Sequence, residues 1–353
     1  MNLNNLTRFQ QIDTQNMLAE IDGLPDQLET AWQLSQRQPL PEWKGITRVL
    51  IAGMGGSAIG ADLLAAYAAP LCPVPIIVHR DYGLPAWARG PETLVIASSH
   101  SGNTEETLSA FSHATENGCT RMVITTGGKL GEMAEASHSA LWTFAHSGQP
   151  RAAVGYSFGL LLGALARLGL VPDPANGVAS AAATMREQQT HLKRDVPVVH
   201  NPARRQAGQL VDRWIAVIGS EILAPVARRW KGQVSELAKA WAQFEALPEA
   251  DHNTLAGTAN PENLFAGAIT LFLMAPSYHP RNTLRSKLTR RMFMLEGIAT
   301  DFFMAPGETR LAQQWTALHF GDYMAYYLAI AYGVDPTPVD TIERFKTEMR
   351  TAG

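Results

Sequence analysis

Apolar residues recur near the amino terminus at Ile12, Met17, Leu18, Ile21, Leu24, Leu28, Trp32 and Leu34, with polar residues between them. This loosely helical spacing predicts one or two amphipathic helices over residues 9 to 37. The pattern then changes. In RVLIAGMGGSAIGADLLAAY an unbroken apolar run, Val49 to Ala52, meets a glycine-rich turn and then a helical spacing from about Ser57. Buried strand, turn and helix are predicted there. Further apolar runs follow in PIIVHRDY, TLVIASSHSGNTEETLSAF, RMVITTGG and ALWTFA, with helical patterns among several of them. Strands that alternate with helices imply a parallel sheet, doubly wound through right-handed crossovers.

The alternation breaks near residue 147 at HSGQPR, and the long apolar run from Tyr156 reads as a helix because of its length. Residues 175 to 213, alanine-rich and then charged, read as helices. A second strand-turn-helix begins in RWIAVIGSEILAPVARRWKGQVSELAKAW, so the architecture restarts. AITLFLMA, a basic stretch from Arg281 to Arg291, the apolar GDYMAYYLAIAY and the amphipathic IERFKTEM complete the chain. The expected fold is α/β, with two doubly wound parallel-sheet domains. The expected boundaries are a helical lead-in over 1–44, a first domain over 45–150 and a second over 151–353 that ends in helices.

Composition narrows the function. With 353 residues, 46% hydrophobic and 17% charged, the chain can bury more than one core, which excludes a disordered or fibrous protein. Its 29 basic and 32 acidic residues give a net charge of -3, no surplus to hold a polyanion, so nucleic acid is not an expected partner. MNLNNLTRFQ lacks the basic start and apolar core of a signal peptide, and Arg167 interrupts the apolar stretch from Leu160 before it could span a bilayer. Cys72 and Cys119 are too few for a disulfide framework or a metal pair. The expectation is a soluble protein of the reducing cytoplasm, with no membrane partner.

Two loops favour an anion. Gly53-Met54-Gly55-Gly56-Ser57 places flexible backbone where a helix begins, so the unpaired N–H groups at Gly55, Gly56 and Ser57 face outward with the positive end of the helix dipole. Gly53-x-Gly55-x-x-Ala58, with Asp81 after the next strand, also satisfies a permissive dinucleotide fingerprint, and a tight strand-to-helix turn without ligand is the less favoured reading. The second loop, Ser98 to Thr107, spaces Ser99, Ser101 and Thr104 so that several hydroxyls can turn toward one anion at a helix start. A nicotinamide-binding fold does not need this loop. Capping ahead of Glu105 and Glu106 accounts for one hydroxyl and leaves the others.

On these residues the chain resembles a known family. GMGGSAIG and SSHSGNTEET are similar to the sugar isomerase (SIS) domain, a flavodoxin-like phosphosugar-binding fold whose serine-rich turn holds the phosphate. QPRAAVGYSFG, GSEILAPVARRWKGQVSELAK, LPEADHN, SYHPR and GDYMAYYLAIAYGVDPTPVDTIERFK resemble, in order and spacing, segments of the bifunctional phosphoglucose/phosphomannose isomerases. Those proteins carry two such domains in one chain, and the resemblance runs from about Leu50 to the carboxyl terminus. It implies interconversion of glucose 6-phosphate and fructose 6-phosphate, and of mannose 6-phosphate, through a cis-enediol and without metal or redox cofactor.

The resemblance also implies roles. Glu236 matches the base that moves a proton between C1 and C2, and His252, 16 positions on, matches the ring-opening histidine. In related enzymes that histidine comes from the partner subunit, which implies a homodimer. Arg151 matches an arginine that stabilises the enediolate, and Lys346 a lysine near the active site. On the residues alone, Glu236 and Lys239 are i,i+3 neighbours that read as a solvated ion pair. Arg151 reads as a bridge between domains, His252 as one of ten histidines, and Lys346 as a solvated position on a terminal helix. The chain departs from its relatives at Asp251-His252-Asn253-Thr254, where many read Asn-His-Asn-Glu, and at His100, often a tyrosine. Asp251 is expected to perturb His252. A non-catalytic phosphosugar-binding regulator is the alternative, although no basic recognition helix precedes Gly53.

Overall fold

The computed structural model describes residues 3–352. Its lead-in forms three helices, α1 (Leu6–Ile12), α2 (Met17–Asp22) and α3 (Leu24–Arg37). The Asp13 carboxylate caps α2 by accepting from the backbone N–H groups of Met17 at 2.7 Å and Leu18 at 3.1 Å. Helix α3 buries Leu24, Leu28 and Ala31.

The first sheet is built from β1 (Arg48–Ala52), α4 (Gly55–Ala68), β2 (Ile76–His79), β3 (Thr93–Ser99), α5 (Glu105–Glu116), β4 (Thr120–Thr125), α6 (Gly128–Ala136) and β5 (Ala140–Thr143). All pairings are parallel, in the order β2-β1-β3-β4-β5. Every residue of β3 is buried, which is why it reads as a continuous apolar run ending in two serines. Helix α4 begins at Gly55, two residues before the expected start, because the turn itself is helical.

Three helices follow, α7 (Val154–Arg167), α8 (Ala175–Gln189) and α9 (Pro202–Leu210), with α7 packed on α3 and α4. The second sheet comprises β6 (Trp214–Ser220), α10 (Ala224–Leu237), β7 (Ala242–Leu247), α11 (Glu262–Phe265), β8 (Ala268–Met274), α12 (Pro280–Leu295) and β9 (Ala299–Met304). Its strands are again parallel, in the order β7-β6-β8-β9. The same winding therefore occurs twice, the second time without a fifth strand.

Helices α13 (Arg310–Tyr332) and α14 (Asp340–Ala352) end the chain and have opposite environments. Positions Leu311 to Ala331 of α13 are all buried, against α10, α8 and α9. A helix buried on every side must place its polar groups on partners. The Gln314 amide nitrogen donates to Leu63 O of the first half at 3.0 Å and to Ile222 O of the second at 3.2 Å. Both sheets share one apolar core in this way. By contrast α14 buries nothing. Its apolar stripe, Ile342, Phe345 and Met349, is uncovered, as is the stripe Leu284, Leu288, Met292 and Leu295 on α12. Among the described residues no helix is long and apolar enough to cross a membrane.

Candidate active site

The winding of the first sheet reverses between neighbouring strands β1 and β3, the place where open α/β sheets form a crevice beyond their carboxyl ends. The loop after each strand opens a helix there. Neither α4 nor α5 has a side-chain cap, so the amides of two helix N-termini are left for a ligand. Thr104, at the cap position of α5, instead turns its hydroxyl to Ser99 Oγ at 3.1 Å. Ser99 Oγ also accepts from Gly102 N at 3.2 Å, and Ser101 Oγ accepts from Asn103 N at 3.2 Å. Ser57 Oγ joins the two loops by accepting from His100 N at 3.2 Å.

Glycine is required at two points. Gly102 has φ +66°, and a Cβ there would lie 1.8 Å from Gly127 O. A Cβ on Gly56 would lie 2.4 Å from Pro150 O. The start of α4 thus rests directly on the turn that carries Arg151. Arg151 is almost fully buried, and its Nη1 lies 3.7 Å from Glu236 Oε2, while Glu236 is one-third exposed. The first loop, the Arg151 turn and the Glu236 carboxylate are therefore consecutive neighbours, and Ser57 links them to the second loop.

Arg151 is fixed from several sides. Its Nη2 donates to Pro336 O at 2.8 Å and to Thr337 O, and its own carbonyl accepts from Arg229 Nη2 at 3.1 Å. Arg229 is in turn held by a buried ion pair with Asp322 at 2.6 Å, which Gln233 Nε2 joins at 3.0 Å. The buried Arg151 Nε has no acceptor among the described residues. Burial lowers the Arg151 pKa, and Glu236 works against that shift.

Lys239 is not a salt-bridge partner of Glu236. Its ammonium donates to the Glu236 carbonyl at 2.6 Å and to Leu237 O at 3.3 Å, closing the carboxyl end of α10. Partial burial and then the nearby Arg151 pull its pKa down to about 8. The solvated i,i+3 pair read from the spacing is therefore replaced by a helix-end cap that leaves the Glu236 carboxylate to Arg151.

His252 and Lys346 do not join this site within one chain. Glu236 precedes β7 and His252 follows it, and six residues of strand span roughly 20 Å. His252 is exposed in a turn after β7. Asp251 does not address it: its carboxylate accepts from Arg285 Nη1 at 2.9 Å and Thr289 Oγ1 at 2.6 Å on α12. Lys346 stands out on α14, 52% exposed and paired with Glu343 at 2.8 Å. In the second sheet the equivalent of the serine-loop crevice is filled by the chain itself. There Glu221 Oε1 accepts from His279 N and from Asn282 Nδ2, both at 2.8 Å, at the start of α12.

Sequence reasoning missed three groups: the Arg229–Asp322–Gln233 cluster, the Pro336–Thr337 clamp, and the pair Glu20 and His146 behind His100. The clamp had a signal in GVDPTPVD, where two prolines fix the backbone carbonyls that Arg151 meets.

The chain resembles known proteins in sequence and in fold. Residues 199–349 match the model of the bacterial phospho-glucose isomerase C-terminal SIS domain. The chain is 36% identical over 335 residues to a bifunctional phosphoglucose/phosphomannose isomerase of Caldicellulosiruptor bescii, covering 94% of this chain and 98% of that protein. It is 31% identical over 334 residues to the protein of the same description from Aquifex aeolicus, covering 94% and 97%. In structure it is similar to a glucose-6-phosphate isomerase like protein from Thermus thermophilus, with a TM-score of 0.64 at 18% identity over 96% of this chain and 98% of that one.

Proposed function

The chain belongs to the bifunctional phosphoglucose/phosphomannose isomerases, and from that premise we propose that it interconverts fructose 6-phosphate with glucose 6-phosphate and with mannose 6-phosphate at the surface joining the serine loops to Glu236. The observation that carries this reading is the position of Arg151, against Gly56 of the first loop on one side and 3.7 Å from Glu236 on the other. The loop amides and the hydroxyls of Ser57, Ser99, Ser101 and Thr104 anchor the phosphate. Glu236 removes the proton from C1 or C2 of the open-chain sugar and returns it to the other carbon of the cis-enediol. Arg151 stabilises the charge that develops on the enediolate oxygen. Access to both aldose epimers follows if the enediol presents either face to one carboxylate.

Ring opening needs a second acid/base, and within one chain His252 lies at the far end of β7. We assign that group to a second copy, so the enzyme is a homodimer with composite sites. Support comes from the uncovered stripes of α14 and α12: α14 springs from the Thr337 clamp on Arg151, and α12 holds the His252 turn through Asp251. Docking one on the other across a two-fold axis would bring His252 of the second copy to this site and bury Lys346 near it. Phe345→Asp is expected to shift the protein to monomer in sedimentation velocity and to abolish turnover. An active monomer would refute composite sites. The unpaired cysteines Cys72 and Cys119 fit a reducing compartment, and we assign the enzyme to the cytoplasm.

The direct test is formation of glucose 6-phosphate from fructose 6-phosphate and, separately, from mannose 6-phosphate, read through a coupled dehydrogenase. Turnover of both establishes the bifunctional reading, and turnover of fructose 6-phosphate alone removes the mannose half. Ser99→Ala deletes the hydroxyl on which Gly102 N and Thr104 Oγ1 converge. It is expected to raise KM for either sugar by about tenfold or more, the cost of losing a hydrogen bond to a charged group, with an unchanged circular dichroism spectrum.

A further inference from the structure

Behind the phosphate loop runs a chain of ionisable groups that proton transfer on the sugar does not use. His100 Nε2 lies 2.9 Å from His146 Nδ1, and His146 Nε2 lies 3.2 Å from Glu20 Oε2 on α2. The rings are packed edge-on, with centroids 5.1 Å apart, inside a cage of Phe144 and Tyr156. Among the described residues the ionisable groups facing the two rings are Glu20 from α2 and Tyr156 from α7. His100 sits between Ser99 and Ser101. Its main chain is tied to both sides of the site: the N–H to Ser57 Oγ, and the carbonyl to Thr126 N at 3.1 Å and Thr126 Oγ1 at 2.7 Å.

The hydrogen-bond directions can be assigned. A carboxylate only accepts, so His146 Nε2 must carry the hydrogen shared with Glu20. In a neutral imidazole that leaves His146 Nδ1 an acceptor, so His100 Nε2 must donate to it. The remaining lone pair of the chain is on His100 Nδ1. With the loop empty, a proton there is disfavoured, because burial and then His146 pull the His100 pKa down to about 4. A phosphate dianion seated between Ser57, Ser99 and Ser101 reverses that balance, since it supplies negative charge beside the same residue while Glu20 supplies it at the other end.

We infer that the Glu20–His146–His100 chain is a proton-linked counter-charge for the phosphate loop, in which His100 Nδ1 takes a proton from solvent when a phosphomonoester dianion binds and gives it back on release. The inference rests on the loop being the phosphate site. His100 acts as a positioning residue, because its protonated ring draws the loop toward the anion and touches neither C1 nor C2. The sign is fixed: binding favours the protonated form, so affinity falls as pH rises through the pKa of the liganded state.

The test is calorimetric titration with sorbitol 6-phosphate at pH 7.5 in two buffers of contrasting ionisation enthalpy. This probe keeps the phosphate, which is a dianion there, but has no carbonyl to isomerise. The wild type is expected to show a buffer-dependent heat of the sign of proton uptake. Glu20→Gln and His146→Gln are expected to lose most of that uptake and to bind about tenfold more weakly at this pH. His100→Tyr is expected to lose it entirely and to flatten the dependence of Kd on pH. Equal heats in both buffers for the wild type would overturn the counter-charge and leave the loop standing. Uptake undiminished in Glu20→Gln and His146→Gln would overturn it too. Binding of the probe by Ser99→Ala with wild-type affinity would instead refute the loop as the phosphate site, and the counter-charge with it.

Discussion

Glu236→Gln is expected to lower kcat for both fructose 6-phosphate and mannose 6-phosphate by roughly 10²–10⁴-fold, the usual contribution of a positioned general base. The amide has the shape of the carboxylate and can remain beside Arg151, 3.7 Å away in the wild type, but it cannot accept a proton from carbon. On the proposed anchoring of the phosphate by Ser57, Ser99, Ser101 and Thr104 at the other end of the site, KM is expected to change little. An interaction used only in the transition state lowers kcat and kcat/KM together. Exchange of solvent deuterium into C2 of the aldose product should disappear in step with turnover. Retention of turnover within about threefold of wild type would assign the proton transfer to another group. Loss of turnover with continued exchange of solvent deuterium into C1 of fructose 6-phosphate would leave deprotonation intact and place the defect in return of the proton to C2 instead.

The parts of this site that were legible in the sequence are those built from contiguous residues. Buried parallel strands must be apolar on both faces, so β1, β3, β6 and β8 announced themselves as runs, and the order of strands and helices then allowed few sheets. Ser99, Ser101 and Thr104 were legible for a related reason, since hydroxyls two and three positions apart in one turn can share a ligand or a cap. The absence of a side-chain cap on α5 favours the ligand. What stayed hidden depends on distance along the chain. Glu20 meets His146 across 126 positions and Arg229 meets Asp322 across 93, and each was one polar residue with nothing local to mark it. Asp251, expected to perturb His252, is claimed by Arg285 and Thr289 on a helix that follows it by some thirty residues. The roles of Glu236, His252, Arg151 and Lys346 came from resemblance alone. Spacing favoured an ion pair between Glu236 and Lys239, where the folded chain puts a helix-end cap.

The second large effect concerns the support of Arg151. Asp322→Ala is expected to destabilise the fold by about 3–5 kcal/mol in equilibrium urea unfolding, because it leaves the Arg229 guanidinium buried without its counter-charge. Both side chains of the pair are only 4% exposed, so water cannot readily replace the lost carboxylate. A collapse of stability would by itself say nothing about catalysis. The informative variant is therefore Arg229→Met with Asp322→Leu, which exchanges the pair for apolar groups of similar volume. Such exchanges of buried ion pairs are often neutral or stabilising, so the double variant is expected to regain most of the stability lost by Asp322→Ala. It is not expected to regain turnover, because Arg229 Nη2 also holds the Arg151 carbonyl at 3.1 Å, and the methionine cannot donate to it. With that tether gone, Arg151 still has the Pro336 and Thr337 carbonyls but less constraint on the turn that orients it toward Glu236. The expected signature is a stable protein with lowered kcat and nearly unchanged KM, since preorganised charge stabilises the enediolate and not the phosphate. A stable double variant with full kcat would reduce Arg229 and Asp322 to core packing and leave the orientation of Arg151 to the Pro336–Thr337 clamp and Gln149.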